Sequence, residues 1–371
     1  MTEDAGALAA GLRSAERARR SHAPPATATV RIKPMSAPVT RSAEPVRDHR
    51  MPDFFIVGHA KCGTTALYEM LRQHPQVFMP EHITGKEPWY FSRDNPHPQA
   101  GGERDISFTG RTAWTLEDYL SLFDDARPGQ RIGEASTSYL WSRSAADRIA
   151  VARPDARIVA IMREPASFLR SLHLQLLQHR VESERDFRTA VELDGARREN
   201  RHIPEKSYWP QALIYSDRVR YVEQLRRYHA VFDPEQILVL IYDDFRDDNV
   251  ATVRRVLRFL EVDDTHPIEP VEANPTVGVR SVRLDNLKHA LRAGQGPLLY
   301  TVREVGKALT TERMRKAVFY PLQKRAVWGK PPPPDAELMH ELRVRFKPEV
   351  VALSEYLDRD LVSLWGYDAL E

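Results

Sequence analysis

One stretch constrains this chain more than any other: Ile56-Val57-Gly58-His59-Ala60-Lys61-Cys62-Gly63-Thr64-Thr65-Ala66-Leu67. The continuous apolar run over 54–57 reads as a strand buried on both faces. Residues 58–63 read as a loop, and 64–72 as a helix with Leu67, Met70 and Leu71 on one side. A buried strand that enters a tight loop and opens a helix makes an anion cradle. The first helical turn carries unpaired N–H groups and a partial positive charge. Gly58 and Gly63 let the backbone come close to a phosphate, and Thr64 and Thr65 add hydroxyl donors.

The rest of the chain continues this pattern. Two further apolar strands are expected over 157–162 and 236–242, and helices over 167–179, 216–229 and 249–260. Alternating strands and helices predict an α/β protein with a central parallel sheet covered on both faces. One ordered domain is expected over 51–371, its C-terminal part helical from about 281, with a helix pair or one long helix over 335–367. Residues 1–50 are rich in Ala, Arg, Pro, Ser and Thr. They hold too little apolar surface to offset the entropy of ordering, which predicts a disordered tail.

Composition narrows the function classes. With 42% apolar and 29% charged residues the chain reads as globular, not as a collagen or a coiled coil. A net charge of +2 gives no electrostatic case for nucleic acid. No run approaches the ~18 uncharged apolar residues that span a bilayer. The single cysteine, Cys62, can neither close an intrachain disulfide nor build a cysteine zinc site, which points to a reducing, cytoplasmic compartment. No metal-ligand cluster is visible. The basic stretch with Arg313, Arg315, Lys316, Lys324 and Arg325 reads as a solvated helix face, or else as a peripheral membrane contact.

The loop differs from the nucleotide triphosphatase loop Gly-x4-Gly-Lys-Ser/Thr in one respect. Gly58 and Gly63 match its glycines, but Thr64 stands where its lysine belongs, and the lysine lies earlier, at Lys61. That shift keeps a cation near the anion but removes the usual partner of the β- and γ-phosphates. Lys-x-Gly-Thr-Thr-x-Leu after a buried strand resembles the 5′-phosphosulfate loop of sulfotransferases that use 3′-phosphoadenosine 5′-phosphosulfate (PAPS). The likeness is to the group of heparan-sulfate sulfotransferases and their bacterial relatives. It implies a P-loop-like three-layer α/β/α fold and PAPS as sulfuryl donor without a metal. The acceptor it implies is a carbohydrate, glycolipid or secondary metabolite. The N–H groups of the segment Cys62, Gly63, Thr64 and Thr65 would hold the 5′-phosphate, and Lys61 the bridging oxygen.

Other segments extend the resemblance over about 52–263. Arg163, at the end of a strand, and Ser171, eight residues on, match the family's pair on the 3′-phosphate, although Phe168 replaces a frequent arginine. Glu87, in Lys86-Glu87-Pro88-Trp89-Tyr90-Phe91, matches the family's general base. Pro88 favours an extended backbone at Glu87, and the aromatic residues are expected to raise its pKa. Glu134 lies in a segment that matches the family except that Ala135 replaces a lysine; it is read as a second carboxylate or a structural one. Arg280 matches a basic loop over the nucleotide. His82 is the runner-up base. The competing reading is a small-molecule kinase, with Asp243 and Asp244 as magnesium carboxylates. Acceptor specificity is expected from about 93–131 and 180–210.

Overall fold

The computed structural model describes residues 50–81, 86–92, 115–205, 207, 209–271, 278–279, 328–329 and 331–370. The expected tail over 1–50 therefore lies outside the described residues save for Arg50, as do most of the basic stretch over 281–330, Arg280 and His82.

Five parallel strands form the central sheet: β1 (Phe54–Gly58), β2 (Val77–Phe78), β3 (Arg131–Glu134), β4 (Arg157–Met162) and β5 (Ile237–Ile241), in the order β2-β3-β1-β4-β5. All of β1 is buried, and all of β4 after its first residue, because helices cover both faces and leave no polar side to the strands. Phe54, Phe55 and Ile56 are fully buried, each contributing ~1.5–3 kcal/mol of transfer free energy.

Six helices matter for the site: α1 (Thr64–Leu71), α2 (Ala145–Ala152), α3 (Pro165–Gln178), α4 (Tyr221–His229), α5 (Asn249–Phe259) and α6 (Ala336–Leu357). Helix α1 packs on α5, whereas α6 packs on α3 and α4, and α4 on α2. The three-layer arrangement expected from the sequence is the one observed.

Two details differ from expectation, and a third decides between two expected arrangements. The helix expected over 216–229 is broken: a turn at Tyr215–Arg218 precedes α4, because Val219 and Arg220 leave helical geometry with ψ of 6° and 60°. Of the two arrangements expected over 335–367 the pair is the one observed, α6 followed by a single turn at Leu361–Leu364. Strands β2 and β3 were not expected. One is two residues long, and the other begins with Arg131, contains Gly133 and ends with Glu134.

The chain leaves β1 to build β2 and β3 on one side of it, then β4 and β5 on the other. The carboxyl end of β1 is therefore a topological switch point, where open α/β sheets leave a crevice.

Candidate active site

The loop between β1 and α1 lies at that end of the strand. Lys61 has φ 62° and Gly63 φ 83°, and a Cβ on Gly63 would fall 2.8 Å from the Phe245 ring, so only glycine fits there. Helix α1 starts at Gly63 with no side-chain cap and no acid in its first turn. Among the described residues the N–H groups of Gly63 and Thr64 have no hydrogen-bond acceptor. Thr64 is buried and Thr65 half-buried. The Cys62 thiol is fully buried, and burial pushes it up to about 12, so only its backbone can meet an anion. His59 turns inward. Its Nε2 donates to Gln224 Oε1 at 2.6 Å and its ring lies 4.9 Å from Phe168. Burial, with the Arg218 charge beside it, holds His59 near 3 and therefore neutral.

Two cations frame the loop. Lys61 is half-buried; burial, then the neighbouring Arg163 charge, lowers its pKa. Arg163, just past β4, donates from Nη1 to Lys61 O at 2.9 Å and stacks 4.6 Å above the Tyr242 ring. Among the described residues no carboxylate lies within ion-pair distance of either. Glu164 is committed elsewhere. It caps α3, accepting from Ala166 N at 3.0 Å and Ser167 N at 2.7 Å, and takes the Tyr367 hydroxyl. Ser171 lies buried two turns along α3. Phe168 is fully buried against His59 and Tyr221.

Glu87 overturns one expectation. A quarter of its side chain is exposed. Oε1 accepts from Lys86 Nζ at 2.8 Å, and Oε2 from Trp89 Nε1 at 3.2 Å and Thr137 Oγ1 at 3.1 Å. Burial pushes the carboxyl up, but the Lys86 ammonium and these hydrogen bonds outweigh it, and the net shift is downward. The aromatic wall expected to raise its pKa contributes instead a donor, the Trp89 indole. Glu87 is thus ionised at neutral pH, and Oε1 keeps a lone pair beyond its one partner among the described residues.

His179 is the residue that sequence reasoning missed. It ends α3, and it is close enough to Glu87 to be raised by that charge and to Lys61 to be lowered by it. Burial dominates and holds it at about 4, so the imidazole is neutral. Ser171, Gln175 and His179 recur every four residues, a spacing that lines one helix face. That periodicity was the available signal. Gln175, on the same face, has its Oε1 buried without a hydrogen-bond partner among the described residues.

Glu134 ends β3 with no exposure, accepting from Tyr119 Oη and Ser136 Oγ at 3.0 Å each. Ser136 Oγ in turn accepts from Trp89 N at 3.0 Å. Glu134 thus supports the turn that carries Glu87. Burial, ahead of its hydroxyl partners, pushes it up to about 8. The folded state therefore keeps a proton that the unfolded chain releases above ~4.3. Its contribution to stability is complete below that value and is lost as pH rises toward 8. The melting temperature of wild type is expected to fall more steeply between pH 5 and 8 than that of Glu134→Gln. Equal slopes in calorimetry would dismiss Glu134 as the source.

The kinase reading loses its carboxylates. Asp244 is held by both Arg359 guanidinium nitrogens at 2.6 and 2.7 Å, and Asp243 accepts from Trp365 Nε1 at 2.8 Å and pairs with Arg246 at 3.0 Å.

Known proteins resemble this chain in sequence and in fold. Residues 52–266 match the family described as "Sulfotransferase family". Human carbohydrate sulfotransferase 15 is 27% identical over 258 residues, covering 57% of this chain and 44% of that one. Human bifunctional heparan sulfate N-deacetylase/N-sulfotransferase 3 is 26% identical over 218 residues, covering 57% of this chain and 22% of that one. The chain spans less than half the length of these curated relatives. A crystal structure of a sulfotransferase from Alicyclobacillus acidocaldarius superimposes with a TM-score of 0.56 at 25% identity, covering 85% of this chain and 98% of that one.

Proposed function

We propose, because the chain belongs to the sulfotransferase family, that it moves a sulfuryl group from PAPS to a hydroxyl or amine of a carbohydrate-type acceptor. One observation carries this reading: an uncapped helix N-terminus with two cations beside it, Lys61 and Arg163, neither paired with a carboxylate among the described residues. A site with unpaired cations and unsatisfied N–H groups has its electrostatics set for a dianionic ligand.

In the proposed mechanism the 5′-phosphate lies on the N–H groups of residues 62–65, and Arg163 and Ser171 take the 3′-phosphate. The acceptor oxygen or nitrogen attacks sulfur in line. As its bond to sulfur forms, its proton passes to Glu87, and the bond from sulfur to the bridging oxygen breaks. Charge develops on that oxygen, where Lys61 stabilises it, and 3′-phosphoadenosine 5′-phosphate (PAP) departs. Glu87 suits the role because it is ionised and, among the described residues, has one partner on Oε1. Its lowered pKa makes it a weak base for a free alcohol, which fits a transfer in which the proton moves only as the new bond forms. His179, neutral and close to both Glu87 and Lys61, is the second candidate for the proton. A cytoplasmic location belongs to the same proposal, resting on the single cysteine.

Arg163→Ala is expected to weaken PAP binding about tenfold or more, from the loss of one charge-assisted contact worth ~1.5–3 kcal/mol, and to change the maximal rate less. Calorimetric titration with PAP checks this; an unchanged affinity removes Arg163 from the donor site. Sulfate transfer from radiolabelled PAPS to a panel of sugars tests the activity itself. Magnesium-dependent ATP turnover without sulfate transfer would favour the kinase instead.

A further inference from the structure

Beyond the donor crevice, the wall next to Glu87 is built of tryptophans. The Trp89 indole donates to Glu87 Oε2. Its ring centroid lies 5.9 Å from that of Trp209, which lies 5.3 Å from that of Trp141. All three rings are half-buried, so each keeps some surface open. They come from segments far apart in sequence, and folding sets them in one continuous strip that begins at the proposed base.

The strip is rigidly mounted. Arg218 lies 3.9 Å over the Trp141 ring. The chain around Trp209 is pinned by a buried ion pair, Arg197 with Glu182 at 2.7 Å, and Arg197 also donates to Leu213 O at 3.2 Å. Asp194 accepts from Tyr215 N and Ser216 N at 2.8 Å each. A fixed aromatic wall loses little entropy when it binds.

The strip is also incomplete as the protein alone builds it. Trp209 Nε1, Ser207 Oγ, and the Nε and Nη1 of Arg218 are buried polar atoms without hydrogen-bond partners among the described residues. Native structures leave few such groups, and among the described residues no partner is supplied to these. An apolar chain laid on the indoles would offer none. A sugar ring offers both an apolar C–H face and a rim of oxygens.

We propose that Trp89, Trp209 and Trp141 form the acceptor subsite, where a sugar ring stacks on the indoles and presents its reacting hydroxyl or amine to Glu87. The inference rests on the sulfotransferase reading for its chemistry, but its test reads binding directly. Trp141 and Trp209 are specificity-determining residues for the acceptor and leave the donor untouched.

The test titrates the full chain with an unsulfated chondroitin hexasaccharide, with and without saturating PAP, following tryptophan fluorescence and heat. Wild type is expected to bind the hexasaccharide with a change in indole emission. Trp141→Ala and Trp209→Ala are expected to weaken it about tenfold each, with Trp141→Phe in between and PAP affinity unchanged in all three. Thermal melts identify any variant that has lost its fold, and the Phe variant then decides. Three results would each overturn the subsite: hexasaccharide affinity indifferent to the tryptophans, no hexasaccharide binding by wild type, or decanol causing the same emission change with higher affinity. Failure of wild type to bind PAP sinks the donor reading instead, and the titration without PAP still decides the strip.

Discussion

Lys61→Ala is expected to lower sulfuryl transfer about a thousandfold while the protein melts at its wild-type temperature. Removing one preorganised donor from a developing oxyanion costs ~10²–10³ in rate, and here the donor also carries a full charge in a partly desolvated loop. The fold does not depend on this ammonium. Among the described residues it forms no ion pair, and its backbone, not its side chain, receives Arg163. Burial and the Arg163 charge already press it toward its neutral form, so the cation is held at a cost that bound anions would relieve. Lys61→Arg should recover only part of the loss, because a planar fork does not match a point contact on a bridging oxygen. Initial rates with PAPS read the effect, and wild-type turnover in the alanine variant would show that the loop assignment is mistaken.

Glu87→Gln is expected to cut the rate by ~10²–10⁴, the usual span of general-base catalysis, with PAP affinity unchanged. The amide keeps the size of the side chain but places an NH₂ where Lys86 or the pair Trp89 and Thr137 now donates, so some loosening of the turn accompanies the lost base. The pH profile separates these effects. The proposed mechanism needs Glu87 ionised and Lys61 protonated. The downward shift of Glu87 puts the acid limb below the usual ~4.3, and that of Lys61 brings the alkaline limb below its usual ~10.4. A broad plateau between them is expected. An acid limb near 6 would give the proton to an unperturbed histidine, and an undiminished Glu87→Gln would give it to His179.

Particular residues show how far the sequence could be read. Strands β1, β4 and β5 were legible because continuous apolar runs fit a sheet covered on both faces. Strand β3 was not, because its pairing with β1 depends on neighbours distant in sequence and not on its own Arg131-Ile132-Gly133-Glu134. The phosphate loop was legible as local chemistry. Glu87 was legible in position but not in electrostatics: its aromatic neighbours are adjacent in sequence, whereas Thr137 reaches it from fifty residues away. His179 escaped notice because its significance lies in meeting Glu87 and Lys61 in space.

The turns after β4 and β5 are fastened by residues more than a hundred positions later: Tyr367 on Glu164, Arg359 on Asp244 and Trp365 on Asp243. These two turns therefore gain their fastenings only when the chain has been made through position 367. A fragment that ends before 359 carries the whole loop over 58–63 without any of these three fastenings.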